Sequence, residues 1–281
     1  MSLTVVVPCL DCSPTLLKAL QSVTALGLED LEVIVIDDGS RTREALRIQE
    51  ISESVPRVKL VRHANQGLGG TRNRGIREAT REYLYFLDAD DFVDPRKLNR
   101  VLGVAHKKGL DLALFDTRPF LHEADFNPNY LKNRKDYYRR NHRSPRDVRS
   151  GEALAQALVE HNNYLPSACL YLVRREFLLS SGIFFRPRGL FEDLAFTFKA
   201  ISTAKRVQYF PVKAHFRSLR SQSLTHSSHR EERIAGLRAA IDDIEDFSIA
   251  KWGNQPPRYA TQLLDRYSNR LQNLYGQDLR A

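Results

Sequence analysis

The stretch YLYFLDADDFVDP, residues 83–95, passes from five apolar or aromatic residues into four aspartates within seven positions: Asp88, Asp90, Asp91 and Asp94. Ionised carboxylates do not survive in an apolar interior without partners, so this run must end at a surface where positive charge meets it. Other carboxylates follow the same habit. Asp11 trails the first apolar run, the pair Asp37–Asp38 trails the second, and Glu192–Asp193 precedes a later helical pattern. A glycine-rich stretch, NQGLGGTRNRGI, supplies Gly67, Gly69, Gly70, Arg72 and Asn73, and HFRSLRSQSLTH supplies His215, Arg217, Arg220 and His226.

The cysteines offer a second chemistry. Cys9 and Cys12 form a CxxC between a strand pattern and a helix pattern, where a thioredoxin-type pair would sit. No second CxxC completes a zinc site, and Cys169 adds at most a third ligand. Their expected role is that of small buried hydrophobes.

The elements that must position these groups alternate. LTVVV (3–7) is a β-branched run, as expected of a strand covered on both faces. Ser13 and Pro14 open a helix whose Leu16, Leu17, Leu20 and Val23 recur at helical spacing. LEVIVI (31–36) and VKLV (58–61) predict the next strands, separated by a helix from Arg43. After the glycines come a short helix through Ile76, a fourth strand at YLYFL, a helix opened by Pro95, and a strand at DLALF (111–115). Such alternation implies a parallel, doubly wound sheet that binds ligands beyond the carboxyl ends of its strands. Asp11, Asp37, Asp38, Asp88, Asp90 and Asp91 all fall at those ends, so they converge on one edge.

Farther on, SGEALAQALVEH (150–161) predicts a capped helix, 167–182 a strand turning into a helix, and RVQYFPVKAHFR a strand. The tail predicts two amphipathic helices, with Ile234, Leu237, Ile241 and Ile244 at heptad-like spacing in the first. Their apolar faces suit packing on the rest of the chain, pairing of two subunits, or an anionic membrane surface.

At 281 residues and 42% hydrophobic, the chain is long enough for one large domain or a domain with an appendage. No apolar run nears the roughly eighteen residues of a membrane span, and no basic leader precedes the first strand; the expected location is the cytoplasm. The net charge of +9 invites an anionic partner. Much of it lies between Tyr130 and Arg149, where eight Lys and Arg face only Asp136 and Asp147. Tyr137 and Tyr138 interleave with that charge, a pattern that also serves nucleic acid, but a solvated insertion is the simpler account.

In combination and in order, VVVPCLDC, VIVIDDGS, NQGLGGTRNRGI, FLDADD, GLFEDLAF and HFRSLRSQSLTH resemble the family two glycosyltransferases of the GT-A fold, over roughly residues 3–228. The likeness is to bacterial enzymes of capsule, lipopolysaccharide or cell-wall synthesis. It implies a GT-A, Rossmann-like, mostly parallel doubly wound sheet flanked by helices, here with a C-terminal helical extension at 229–281. Within 1–228, it implies a nucleotide-sugar-binding half (1–117), a basic insertion (118–150) and an acceptor half (151–228).

Residue by residue, the resemblance implies the following. Pro8 and Asp11 stand where the family has a Pro-Val-Tyr-Asn type sequence, Asp11 taking the place of the Asn. Asp38, or Asp37, recognises the base, accepting a hydrogen bond from a uracil imide; the alternative is helix capping. Gly67, Gly69 and Gly70 allow close backbone approach, Arg72 meets a diphosphate, and Asn73 donates hydrogen bonds. Asp88 and Asp90 form the DxD motif, Asp90 on the metal and Asp88 nearer the ribose. Mn²⁺ or Mg²⁺ lies between carboxylates and phosphates that would otherwise repel, and stabilises the leaving diphosphate. Asp91 serves either role or caps a helix with Asp94. Asp193 is the base of an inverting transfer, with Glu192 second. His226 is a candidate third metal ligand, in a late loop that closes over the diphosphate.

The activity so implied is hexosyl or N-acetylhexosaminyl transfer from a UDP-sugar to a glycan or lipid-linked saccharide, in cell-envelope polysaccharide synthesis. A peripheral contact with the inner face of the membrane and a homodimer remain open; no specific nucleic-acid partner is expected. A sugar nucleotidyltransferase is a rival, but its glycine-rich signature follows the first strand, whereas here it follows the third. A non-catalytic polysaccharide- or nucleotide-binding protein is another, and the joint presence of Asp90 and Asp193 argues against it. The segment 120–149 matches nothing in the family.

Overall fold

The computed structural model describes residues 1–121, 140, 141, 143–219 and 229–276. Its first half follows the expected alternation: β1 (Ser2–Cys9), α1 (Ser13–Thr24), β2 (Asp30–Asp37), α2 (Thr42–Ser54), β3 (Val58–Arg62), α3 (Gly67–Glu78), β4 (Tyr83–Phe86), the short β5 (Phe92–Val93) and α4 (Pro95–Lys108). Then follow β6 (Leu112–Leu121), α5 (Gly151–Glu160), a single 3₁₀ turn (Ala168–Leu170), β7 (Tyr171–Arg174), α6 (Arg175–Ser180), α7 (Glu192–Thr203) and β8 (Val207–Leu219). The tail forms α8 (Arg230–Trp252) and α9 (Arg258–Tyr275).

Strand residues alternate between the two faces of a sheet, and both faces here are covered. Leu3, Val5 and Val7 of β1 enter one core with Leu16, Leu20, Ile48 and Leu98 of α1, α2 and α4. Val6, with Ile34, Ile36, Leu84 and Phe86, enters the other, built with α3, α5, α7, α8 and α9. This double burial is why the strands read as unbroken apolar runs.

The eight strands lie in the order β3-β2-β1-β4-β7-β6-β8-β5. The first four are parallel, so their carboxyl ends share one edge. From β4 onward the sheet is mixed, within the mostly parallel sheet expected. β7 inserts antiparallel between β4 and β6, and β8 runs parallel to β6 but antiparallel to β5. The insertion has a physical basis: Tyr171, Leu172 and Val173 are fully buried, and Arg174 is tied to Asp111, its backbone amide to the Asp111 carbonyl at 2.9 Å and its guanidinium to the carboxylate. Asp111 also accepts from the amides of Lys205 and Arg206, at 2.8 and 3.0 Å, which fixes where β8 begins.

β8 is thirteen residues long, and its register with β6 shifts around Asp116. It thereby reaches β5, pairing His215 with Val93 and Phe216 with Phe92. The late segment is thus delivered beside the end of β4.

The tail helices pack on the rest of the chain. Leu237, Ile241 and Ile244 of α8 are buried with Phe198 and Ile201 of α7, and Tyr259 and Leu263 of α9 join the same core. Lys199 pairs with Asp243, and the Tyr259 hydroxyl donates to Ser202 Oγ at 2.8 Å. The apolar positions open to subunit pairing or to a membrane are therefore occupied from within.

This packing predicts that a chain ending at Ser228 is insoluble or aggregates, since it uncovers α5 and α7; an unchanged monomer on size-exclusion chromatography would contradict it. Leu237→Ala in the full chain should cost about 2–5 kcal/mol of stability in urea unfolding, the usual range for a fully buried leucine.

Candidate functional site

At the edge beyond β1 and β2, the acidic residues hold the loops. Asp11 sits in the left-handed region at φ 49, and its carboxylate accepts from the Arg41 backbone at 3.0 Å and from Arg41 Nε at 2.9 Å. That turn brings the Cα atoms of Cys9 and Cys12 to 5.6 Å, within disulfide reach, and the two are bonded. The expectation of two separate buried thiols is corrected on this point. Cys169 stands apart from them, buried beneath the charged cluster described below, its thiol pushed up by burial and by Asp88.

Pro8 is buried in register with Ile36. Asp37 accepts from the Ser40 amide at 2.9 Å and pairs with Arg62 at 3.2 Å. Asp38 does not cap the helix that follows it: its two oxygens take the amides of Gln66 and Gly67, at 2.7 and 3.0 Å, so it anchors the head of α3 across a gap of 28 residues.

The glycine run forms the first turn of α3 rather than a loop ahead of it. What approaches it closely is the backbone of residues 186–188. A Cβ at Gly69 would lie 1.8 Å from the Arg186 carbonyl oxygen, and the Gly70 amide donates to the Pro187 carbonyl at 2.9 Å. Asn73, expected to donate hydrogen bonds, clamps Phe185: Nδ2 donates to its carbonyl and Oδ1 accepts from its amide, both at 2.8 Å. These contacts dock the segment ahead of α7 onto α3.

Arg72 is likewise not presented to solvent. It is 3% exposed, and its two terminal nitrogens reach Glu192 Oε1 at 2.7 Å and Asp88 Oδ1 at 2.9 Å. Its guanidinium lies 5.4 Å over the Phe185 ring, which stacks on Phe196. An aromatic floor beneath an ion pair excludes water and strengthens it. Arg72 therefore ties the end of β4 to the head of α7, and so the DxD motif to the second acidic pair.

The carboxylates respond to this charge. Burial opposes ionisation of Asp88, but Arg72, Arg217 and the Arg72 hydrogen bond outweigh it and hold the carboxyl below its ordinary range. Burial, then the neighbouring Glu192, push Asp193 the other way, up to about 7, with Arg72 and Arg217 only partly offsetting them. A half-buried carboxyl titrating there is poised for proton transfer near neutral pH. Phe191, which caps α7 just before this pair, has φ 64, a left-handed conformation that is costly for a bulky residue.

Beside this cluster runs a buried chain of polar groups. Tyr85 Oη and Asp91 Oδ2 engage the two ring nitrogens of His215, at 2.7 and 3.0 Å, and Asp91 Oδ1 accepts from the Ser218 amide at 2.7 Å. Asp91 is 3% exposed and committed to β8 through both carboxylate oxygens. Asp94 alone caps α4, accepting from the Lys97 amide at 3.0 Å. Asp90 is half-buried between them.

Among the described residues no group of three or more His, Cys, Asp or Glu is placed to hold a metal ion. Arg220 and His226 lie outside the described residues, as do 122–139 of the basic segment. Within the described part of that segment, Arg140 is buried against Asp116 and donates to the Phe115 carbonyl at 2.8 Å, so it anchors β6 rather than offering charge to a partner. Sequence reasoning missed the Arg72 pairing, the Asn73 clamp and the Tyr85–His215–Asp91 chain, whose partners stand 16 to 130 residues apart.

A family model described as Glycosyl transferase family 2 matches residues 4–162, more than half of the chain. Among curated relatives, the uncharacterized glycosyltransferase alr2836 of Nostoc sp. is 37% identical over 105 residues, 37% of this chain and 33% of the relative, so the chain spans about a third of that relative's length. The fold superposes on S. aureus TarS 1-349 in complex with UDP-GlcNAc with a TM-score of 0.68 at 19% identity, covering 99% of this chain and 73% of that one. It also superposes on the mannosyltransferase PcManGT from Pyrobaculum calidifontis in complex with GDP-Man and Mn²⁺, with a TM-score of 0.61 at 18% identity, covering 96% and 69%.

The raised Asp193 carboxyl makes a stability prediction whose sign can be worked out. Between its unfolded value near 3.8 and its folded value of about 7, the native state holds a proton that the unfolded chain has lost, so this group costs the parent stability as pH rises through that window. Asp193→Asn removes that cost. Its melting temperature relative to the parent should be higher at pH 8 than at pH 4, and an equal difference at both would refute the raised value.

Proposed function

The chain belongs to glycosyl transferase family 2, and on that premise we propose that it moves a sugar, with inversion, from a UDP-sugar to a glycan or lipid-linked saccharide acceptor during polysaccharide synthesis. The observation that carries this reading is the Arg72 bridge, which sets a carboxylate at the end of β4 against the acidic pair at the head of α7. Donor and acceptor machinery must meet at one anomeric carbon, and this bridge brings their two candidate halves together. TarS crystallised with UDP-GlcNAc supports a uridine donor and hexosyl or N-acetylhexosaminyl transfer.

Asp193 takes the proton from the acceptor hydroxyl as its oxygen attacks the anomeric carbon; the bond to the diphosphate breaks and the diphosphate leaves with the electron pair. Glu192, already bonded to Arg72, raises the basicity of Asp193 and leaves it the better base. Arg217, close enough to both Asp88 and Asp193 to favour their ionised forms, is placed to meet phosphate charge. Asp38 retains a second lone pair on each oxygen and remains the candidate for the base imide, with Asp37 behind it.

Two carboxylates, Asp88 and Asp90, fit a hard divalent ion that completes its shell with phosphate oxygens and water. Mn²⁺ or Mg²⁺ held there would supply charge to stabilise the departing diphosphate. The Mn²⁺ in the PcManGT complex supports that assignment. No helix among the described residues is long and apolar enough to cross a membrane, and we place the chain's action in the cytoplasm or on the inner membrane face.

Chelation should abolish nucleotide-sugar turnover, and Mn²⁺ or Mg²⁺ should restore it; full activity in chelator would exclude the metal. Asp193→Asn should keep metal-dependent donor affinity by calorimetry while losing transfer by about two to four orders of magnitude, because a base acts mainly in the transition state. Asp90→Asn should lose donor affinity as well. Near-parental transfer by Asp193→Asn would move the base to Glu192, and loss of donor binding in that variant would dissolve the site assignment.

A further inference from the structure

A groove of about 620 Å³ runs between the end of α5 and one face of α9. Gln262, Arg266, Asn269, Arg270 and Asn273 line it and share that helix face, while Tyr259, Leu263, Tyr267 and Leu274 turn inward to the core. A polar outer face is ordinary for a surface helix, but three observations set this one apart.

The opposite wall, from Val159 to Asn162, makes it concave, and Asn162 is fixed by Arg266 at 3.2 Å. Gln262 Oε1 is buried there with no hydrogen-bond partner among the described residues, an acceptor held ready for a donor. At its other end the groove's lining touches the residue that precedes the catalytic candidates. Arg270, which lines it, lies 4.6 Å over the Phe191 ring, the residue immediately before Glu192 and Asp193. Tyr267, on the same helix, has a buried hydroxyl without a partner among the described residues, and Asp193 is near enough to raise its phenol further after burial has done so.

We propose that this groove binds the neutral oligosaccharide portion of the acceptor, laid along α9 with its reactive end toward Asp193. The inference rests on the glycosyl-transfer reading above. Asn and Gln side chains both donate and accept, which matches the hydroxyls of a sugar chain. From Gln262 to Asn273 the helix rises roughly 16 Å, room for more than one sugar ring. The charges on the walls balance, Arg266 and Arg270 against Glu160 and Asp265, so a polyanionic chain gains no net attraction.

The test uses the full chain on immobilised neutral hexasaccharides (chito-, cello-, malto- and laminari-linked) and on hyaluronan hexasaccharide, with UDP and Mn²⁺ titrated in parallel by calorimetry. The parent should bind at least one neutral hexasaccharide. Asn269→Ala/Asn273→Ala, at two exposed positions, should weaken that binding by about tenfold or more through the hydrogen bonds removed, with UDP affinity and melting temperature unchanged. Gln262→Met, which keeps the volume and removes the orphan acceptor, should weaken it as well. Binding to hyaluronan alone, to no hexasaccharide, or equally in parent and variants overturns the proposal. Failure of the parent to bind UDP would instead strike the donor reading, and the hexasaccharide result would still decide the groove.

Discussion

The guanidinium of Arg72 is the constraint on which the site depends. It is buried on an aromatic floor between Asp88 and Glu192, which belong to different parts of the fold. Burying one cation with two anions is unfavourable unless its bonds are made, and here both terminal nitrogens are bonded at under 3 Å, while Nε has no hydrogen-bond partner among the described residues. Removing either partner would leave charge uncompensated in a poorly solvated place. The head of α7 is therefore not free to drift from the end of β4, and the glycine contacts to 186–188 and the Asn73 clamp on Phe185 hold the same joint from the α3 side.

A second joint fixes the remaining wall. β8 must cross to β5 for His215 to lie between Tyr85 and Asp91, and this chain is wholly buried. Asp91 thereby anchors the Ser218 amide and fixes the end of β8. Two nearby aspartates thus divide the work: Asp91 holds architecture, while Asp88 pairs with Arg72 and stays partly exposed. Burial and partner choice, rather than residue type, make the difference.

What was legible in the sequence follows from the range of the interactions involved. The strands β1 to β4, the Pro-initiated helices α1 and α4 and the Ser150 cap of α5 are local facts of pattern and capping, and they stand where the periodicity put them. The mixed half of the sheet was not legible, because β7 is four residues long and its place is set by Asp111 and Arg174, 63 positions apart. The acidic and glycine motifs fall at the edge beyond the strands, but the partners that several of them meet within the protein were not legible. Arg72 and Asn73 carry functional groups suited equally to phosphate and to protein, and only the fold shows which the protein itself satisfies. The CxxC was visible as spacing, but the left-handed turn at Asp11 that closes it was not.

The electrostatics of the cluster carry one more consequence. Asp88, Glu192 and Asp193 are three carboxyls beside Arg72 and Arg217, and burial together with Glu192 keeps Asp193 protonated up to about pH 7. Anything cationic that draws on Asp88 competes with Arg72 for it. Arg72 then has more of its charge to give to Glu192, and the push of Glu192 on Asp193 weakens. The basicity of Asp193 is therefore linked, through one buried arginine, to whatever occupies the end of β4. A site arranged in this way cannot tune its two halves independently, which is a physical reason for building the bridge from arginine: lysine offers a single point of charge, whereas the planar fork reaches both carboxylates at once.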